Sequence, residues 1–82
     1  MAMQVRLNID DAFLRELQDK VGGQPRVAEL AREAFAVLRW AVDEAASGRV
    51  VLSTDCHGAE LHRLVLPTLT RVEARVRGAG HD

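Results

Sequence analysis

Polar and apolar residues alternate strictly through the first stretch of the chain. The apolar positions are Val5, Leu7 and Ile9, and the polar positions between them are Gln4, Arg6 and Asn8. Strict alternation is the period of a half-buried β-strand, so the sequence predicts a short N-terminal strand. The first half of the chain offers this strand no partner. We therefore expect it to pair with a second copy of itself.

The next forty residues change to helical spacing. Asp10 is predicted to cap a first helix, which Gly22-Gly23 would end. Pro25 fits the first position of a second, longer helix, which runs to about Ala46 and closes at Ser47-Gly48. Apolar residues cover more than half of its circumference. We therefore expect this helix to be covered on two sides.

The second half of the chain predicts a β-hairpin. Residues 49–53 and 60–66 are rich in β-forming side chains. Between them, Asp55-Cys56-His57-Gly58 has Asp first and Gly last, which is the preference of a type I turn. The two stretches are therefore predicted to pair as antiparallel strands.

A short helix is predicted after the hairpin. Pro67 would end the second strand, and Thr68 would cap a helix through about Arg77. The apolar side of this helix would carry Leu69, Val72 and Val76. The predicted fold is thus mainly α with a short N-terminal strand, a C-terminal β-hairpin and a short helix. The predicted parts are residues 1–48, residues 49–77 and a frayed tail at 78–82.

Composition limits what a chain of 82 residues can do. A single small domain has a thin core, and oligomerisation is a common remedy. The formal net charge of −1 gives no general attraction to a polyanion, so basic residues must be placed for such a role. No membrane span or signal peptide is expected. Cys56 is the single cysteine, which excludes an intrachain disulfide and favours a cytoplasmic location.

A strand, a helix, a glycine turn and a longer helix in this order resemble the ribbon-helix-helix superfamily of DNA-binding proteins (MetJ, Arc and CopG-like). The resemblance covers roughly residues 3–46 and is carried by residues 5–11, Gly22-Gly23 and residues 29–34. In that family two chains pair their strands into an antiparallel ribbon that enters the major groove, and the second helix begins at a phosphate. The resemblance implies an obligate homodimer.

The resemblance also implies which residues would contact DNA. Gln, Arg and Asn are side chains whose paired polar atoms suit adenine and guanine edges. The start of a helix can hold a phosphate through its free amides. Where the family commonly has Ser or Thr at that start, this chain has Gln24-Pro25-Arg26, and Pro25 removes one amide donor. The implied base contacts are Gln4, Arg6 and Asn8, and the implied phosphate contacts are Arg26, Val27 and Ala28.

Each of these residues has a plainer alternative. The polar face of the strand would otherwise be a solvated edge, although an exposed edge without function favours aggregation. Asn8 could instead support the turn into the first helix. Trp40, the single tryptophan, favours core or dimer packing over stacking on a ligand. The solvated face of the last helix would carry Arg71, Arg75 and Arg77, with contact to DNA or an acidic partner as the lesser alternative.

Metal binding and catalysis are the other candidate chemistries. Cys56, His57 and His62 are residue types that bind zinc or nickel. Adjacent side chains in a tight turn usually diverge, however, so no metal or other cofactor is expected. A catalytic Cys/His pair lacks a third orienting group, and the domain is too small to enclose a substrate. The sequence therefore does not predict an enzyme.

The sequence accordingly predicts a sequence-specific DNA-binding protein. It would act as a small repressor or an antitoxin-like autoregulator, bound to double-stranded DNA as a homodimer in the nucleoid. The alternative is a dimeric or tetrameric scaffold, or an architectural protein of the nucleoid, whose residues 49–77 dock a protein partner. Assembly into tetramers or larger arrays on DNA is left open.

Overall fold

The computed structural model describes residues 3–79, which are mainly helical with one small antiparallel sheet. The chain divides into two compact units, one ending at Glu33 and the other beginning at Ala34. We call their described parts, residues 3–33 and 34–79, the N-terminal unit and the C-terminal unit. The helices are α1 (Asp11–Val21), α2 (Val27–Ala46) and α3 (Pro67–Ala79), and the strands are β1 (Leu52–Ser53) and β2 (His62–Arg63).

Helix α1 has both of its predicted ends. The Asp10 carboxylate accepts a hydrogen bond from the Ala12 amide at 3.1 Å, as an N-cap does. At the other end, the Gly22 amide donates to the Gln18 carbonyl at 2.9 Å. Gly22 has a φ of +80°, which side chains disfavour, so glycine suits this position. The prediction of a helix between Asp10 and Gly22 is confirmed.

Helix α2 begins two residues later than predicted from Pro25. The Arg26 carbonyl accepts from the amides of Glu29 and Leu30, at 3.0 and 3.1 Å, so Arg26 is the N-cap. The Pro25 carbonyl instead accepts from the Gln18 side chain at 2.9 Å. Placing Pro25 at the first helical position was therefore wrong, because its carbonyl is held by α1 and lies outside the helical ladder.

The end of α2 is closed by a Schellman motif. The Arg49 amide donates to the Glu44 carbonyl at 2.9 Å, and the Gly48 amide donates to the Ala45 carbonyl at 3.1 Å. The motif needs a left-handed residue between helix and exit, and Gly48 has a φ of +81°. The predicted end at Ser47-Gly48 is confirmed.

The hairpin is present, but its strands are shorter than the predicted stretches 49–53 and 60–66. Leu52 lies opposite Arg63 and Ser53 lies opposite His62, and the Leu64 amide also donates to the Val51 carbonyl at 2.8 Å. Glu60 has a φ of +54°, which interrupts the extended backbone on one side of the pairing. The start of α3 at Pro67 limits it on the other side.

The predicted turn at residues 55–58 is confirmed by its hydrogen bonds. The Gly58 amide donates to the Asp55 carbonyl at 3.1 Å, which is the bond of a β-turn. The Asp55 carboxylate also accepts from the amides of His57 and Ala59, at 2.9 and 2.8 Å. One side chain therefore satisfies two loop amides and orders the turn.

Helix α3 begins one residue before the predicted cap. The Leu66 carbonyl accepts from the Thr70 amide at 2.9 Å, so Leu66 occupies the N-cap position. The prediction that Thr68 caps the helix was wrong, because Pro67 has the φ required of a first helical residue and starts it earlier. The helix also continues through Ala79, so the predicted frayed tail at 78–82 begins inside it. Residues 80–82 lie outside the described residues.

Among the described residues, those with almost no exposed surface lie only in the C-terminal unit. Ala41, Ala45 and Leu69 are the buried apolar residues of the described chain, and no residue from 3 to 33 is buried. Residues 3–10 also form no strand in the single chain, because a strand requires a hydrogen-bonded neighbour. The predicted N-terminal strand is thus missing from the single chain, and its pairing with a second copy stays a prediction. The buried cluster is completed by Val42, Val51, Leu66 and Val72.

The two glycines at Gly48 and Gly78 allow a matched test of the Schellman motif. A Cβ added at either position meets no atom within 4 Å, so packing does not distinguish them. Gly48→Ala should cost about 1 kcal/mol of unfolding free energy, because alanine disfavours the left-handed φ. Gly78→Ala, inside α3, should be neutral or stabilise by up to about 1 kcal/mol. Urea unfolding at fixed protein concentration measures both, and equal effects would contradict the assignment.

Candidate nucleic-acid interface

Residues 4–9, which we call the ribbon segment, are open to solvent on both faces. The polar side chains of Gln4, Arg6 and Asn8 are exposed. The apolar side chains between them are also exposed, with Val5 at 63% and Leu7 at 51%. A single chain therefore leaves the apolar face of this segment uncovered, while its polar face is accessible to a ligand.

The polar side chains of the ribbon segment have no partners within residues 3–79. Neither a hydrogen bond nor an ion pair in that part of the chain involves the side chain of Gln4, Arg6 or Asn8. The Asp10 carboxylate holds the start of α1, so the described contacts assign Asn8 no part in that turn. The donors and acceptors of the three side chains remain available for an external partner.

The start of α2 brings together the three residues predicted to contact phosphate. Arg26 is the N-cap, and Val27 and Ala28 are the first two helical residues, all of them exposed. The first amides of a helix have no acceptor within the helix, and the helix dipole adds partial positive charge there. The backbone at this point is therefore suited to an anion.

Glu29 is a residue of this site that sequence analysis missed. Its Oε1 atom accepts from Arg26 Nη2 at 2.7 Å and from Arg26 Nε at 3.1 Å. The carboxylate thus occupies the guanidinium group that a phosphate would use. The spacing of three residues on a helix was the available signal, since such side chains are neighbours.

The ion pair between Arg26 and Glu29 is weak enough to be exchanged. Both side chains are substantially exposed, Arg26 at 79% and Glu29 at 44%. Solvent-exposed pairs of this kind contribute about 0–1 kcal/mol. A phosphate group could therefore replace the carboxylate on Arg26 at small cost, provided that the freed Glu29 side chain turns away from the anion.

The remaining candidate residues are scattered. Cys56 and His57 are exposed in the hairpin turn, and His62 lies on β2. Within residues 3–79, no group of three or more Cys, His, Asp or Glu side chains is arranged to hold a metal ion. Trp40 is 53% exposed, so it is not packed into a core of the single chain, and dimer packing stays a prediction. No helix of the described chain is long and apolar enough to cross a membrane.

No protein-family model matches the sequence, and neither the curated proteins nor the solved structures contain a match. Support for a nucleic-acid interface therefore comes from the residues and geometry of this chain alone. Its two parts are the ribbon segment and the start of α2, both of which lie in the N-terminal unit.

Proposed function

We propose that this chain is a sequence-specific DNA-binding protein of ribbon-helix-helix type. Two copies would pair their ribbon segments into an antiparallel ribbon that enters the major groove. Occupation of an operator would then block transcription, so the protein would act as a small repressor or antitoxin-like autoregulator. Its location would be the cytoplasm, on the nucleoid. The main support for this proposal is the ribbon segment, in which polar and apolar residues alternate strictly and both faces lack a partner in the single chain.

The apolar surface of the N-terminal unit supports a dimer. None of its described residues is buried. Its large apolar side chains are exposed, with Phe13 at 59%, Val21 at 56% and Leu7 at 51%. Full burial of one such side chain contributes about 1.5–3 kcal/mol. A paired ribbon laid over the helices would cover several of them at once. Folding of this unit and dimerisation are therefore expected to be coupled.

The polar face of the ribbon segment supports base contacts. Arg forms paired hydrogen bonds with guanine O6 and N7, and Gln and Asn form them with adenine N6 and N7. In an antiparallel ribbon the central Arg6 would lie near its two-fold mate. A palindromic operator is the expected target, because the symmetry of the site mirrors that of the protein.

The start of α2 would add sequence-independent affinity. The amides of Val27 and Ala28, with the Arg26 guanidinium, would hold a phosphate flanking the groove. Release of Glu29 from Arg26 would accompany binding. Because the net charge of the chain is −1, affinity is expected to depend on these placed contacts.

A second candidate function is a scaffold or architectural protein. This alternative is favoured by exposed apolar side chains beside the hairpin, with Val65 at 69% and Leu61 at 61%. Such aliphatic side chains between residues 49 and 77 could dock a protein partner. They could also link dimers into tetramers or arrays that compact DNA.

Selection of bound DNA from a random pool at near-physiological salt separates these functions. Enrichment of a sharp palindrome is expected if the ribbon segment contacts bases. A shallow AT or GC bias would favour the architectural role. No enrichment would contradict DNA recognition and favour the scaffold.

Leu7→Asp tests the dimer. A carboxylate beneath the ribbon has no partner and costs several kcal/mol, so this variant should be a largely unfolded monomer. Val65→Asp is the control, because it places the same charge on an exposed aliphatic position of the hairpin and should leave the dimer folded. Sedimentation and circular dichroism measure both outcomes. A folded, dimeric Leu7→Asp protein would rule out the ribbon.

Arg6→Ala and Arg26→Ala separate base contacts from phosphate contacts. Arg6→Ala should weaken binding to the selected site by about 1–3 kcal/mol per lost contact and relax base preference there. Arg26→Ala should weaken binding to all DNA sequences by a similar factor and reduce the salt dependence of the affinity. Arg15→Ala, an exposed arginine of α1, should change neither. Titrations with selected and random duplexes at several salt concentrations test this, and unchanged binding by Arg6→Ala would refute readout by the ribbon segment.

A further inference from the structure

An open apolar groove lies between α2 and α3 in the C-terminal unit. It is lined by Val42 and Ala46 of α2 and by Val72, Arg75 and Val76 of α3, and its volume is about 380 Å³. Four of these five residues are apolar, and Arg75 is the single charged one. No described segment of this chain fills the groove, so its floor remains accessible to an apolar group.

The α2 side of the groove continues as an apolar stripe toward the N-terminus of the helix. Phe35, Leu38, Val42 and Ala46 follow one another at spacings of three and four residues, which places them on one face. Phe35 is 57% exposed. A large aromatic side chain therefore stands at one end of the stripe, and the small Ala46 beside the groove stands at the other end, about 16 Å away along the helix.

We infer that a second copy of this chain fills the groove, with Phe35 of each copy inserted between α2 and α3 of the other. Two helices related by a perpendicular two-fold axis run antiparallel. Phe35 of one copy would then lie against the groove beside Ala46 of the other copy. The same patch supplies both the projecting ring and its receptor, as a self-complementary two-fold interface requires.

The chemistry of the groove favours this occupant over nucleic acid. A phosphate backbone needs several polar or cationic groups, whereas the floor consists of the aliphatic side chains of Val42, Ala46, Val72 and Val76. A phenyl ring leaves water at little cost in free energy and gains van der Waals contacts with both α2 and α3. The small side chain of Ala46 also lets a second helix approach closely.

The inference rests on the proposed dimer and adds α3 to it. Insertion of Phe35 would make the C-terminal unit part of the dimer interface, so that the hairpin and α3 would stabilise the dimer that binds DNA.

Disulfide trapping tests the contact directly. Two full-length proteins are prepared in a Cys56→Ser background, one with Phe35→Cys and the other with Val76→Cys, and are mixed and oxidised. A disulfide between the two different chains is expected, because insertion brings these positions within the reach of a disulfide, about 7 Å between Cα atoms. Val37→Cys mixed with Val76→Cys is the matched control and should not form one, although Val37 is 59% exposed.

The affinity between copies provides the second measurement. Phe35→Glu should raise the dimer dissociation constant roughly a hundredfold or more, because a carboxylate would enter an apolar groove. Val37→Glu, at a nearly equal exposed position of the same helix, should change it by less than about threefold. Sedimentation over a range of protein concentrations measures both.

The outcomes separate this inference from the proposed function. No Phe35–Val76 cross-link, or equal dimer affinities for Phe35→Glu and Val37→Glu, would overturn the insertion of Phe35. If these variants still form dimers that bind the selected operator, the proposed function survives and only the inference fails. A Leu7→Asp protein that remains a dimer and still forms the Phe35–Val76 cross-link would instead mean that copies associate through the C-terminal unit and not through a ribbon.

Discussion

The packing of Leu69 of α3 against Ala41 and Ala45 of α2 is the contact on which the C-terminal unit depends. Small residues on α2 leave room for one large aliphatic side chain, and the hairpin adds Val51 and Leu66 around it. The N-terminal unit has no equivalent contact, because none of its described residues is buried. Burial of apolar surface drives folding, so the N-terminal unit requires cover from elsewhere. This requirement is the physical basis of the proposed dimer.

Ion pairs lie at both ends of α2 and between the hairpin and α3. Arg63 pairs with Glu73 between β2 and α3, and Arg49 Nε lies 3.4 Å from Glu44 Oε2 across the end of α2. The first pair joins two elements of the C-terminal unit, and the second accompanies the Schellman motif. Arg26 and Glu29 form a similar pair at the start of α2. If DNA binds there, it must exchange a carboxylate for a phosphate, which makes affinity dependent on a specific rearrangement and on salt.

The proposed DNA site and the groove between α2 and α3 would have different roles in the proposed dimer. The ribbon segment would present polar side chains to bases, and its apolar face would form part of the dimer core. The groove would receive Phe35 from the second copy and contribute no contact to DNA. A long α2 serves both, because its first turn offers free amides and its later turns carry the apolar stripe. Separate residues would thus control the proposed DNA recognition and the proposed assembly.

Features that depend on neighbouring residues could be predicted from the sequence. The cap at Asp10, the helix ends at Gly22 and Gly48, and the turn at residues 55–58 were all predicted, because each is set by hydrogen bonds within a few residues. The residue types of the ribbon segment were likewise visible from alternation. The late start of α2 could not be predicted in this way, because the Pro25 carbonyl is held by the side chain of Gln18, seven residues earlier. The short strands and the groove beside Ala46 also depended on tertiary structure. These features depend on which side chains meet in space, and periodicity along the chain does not specify that.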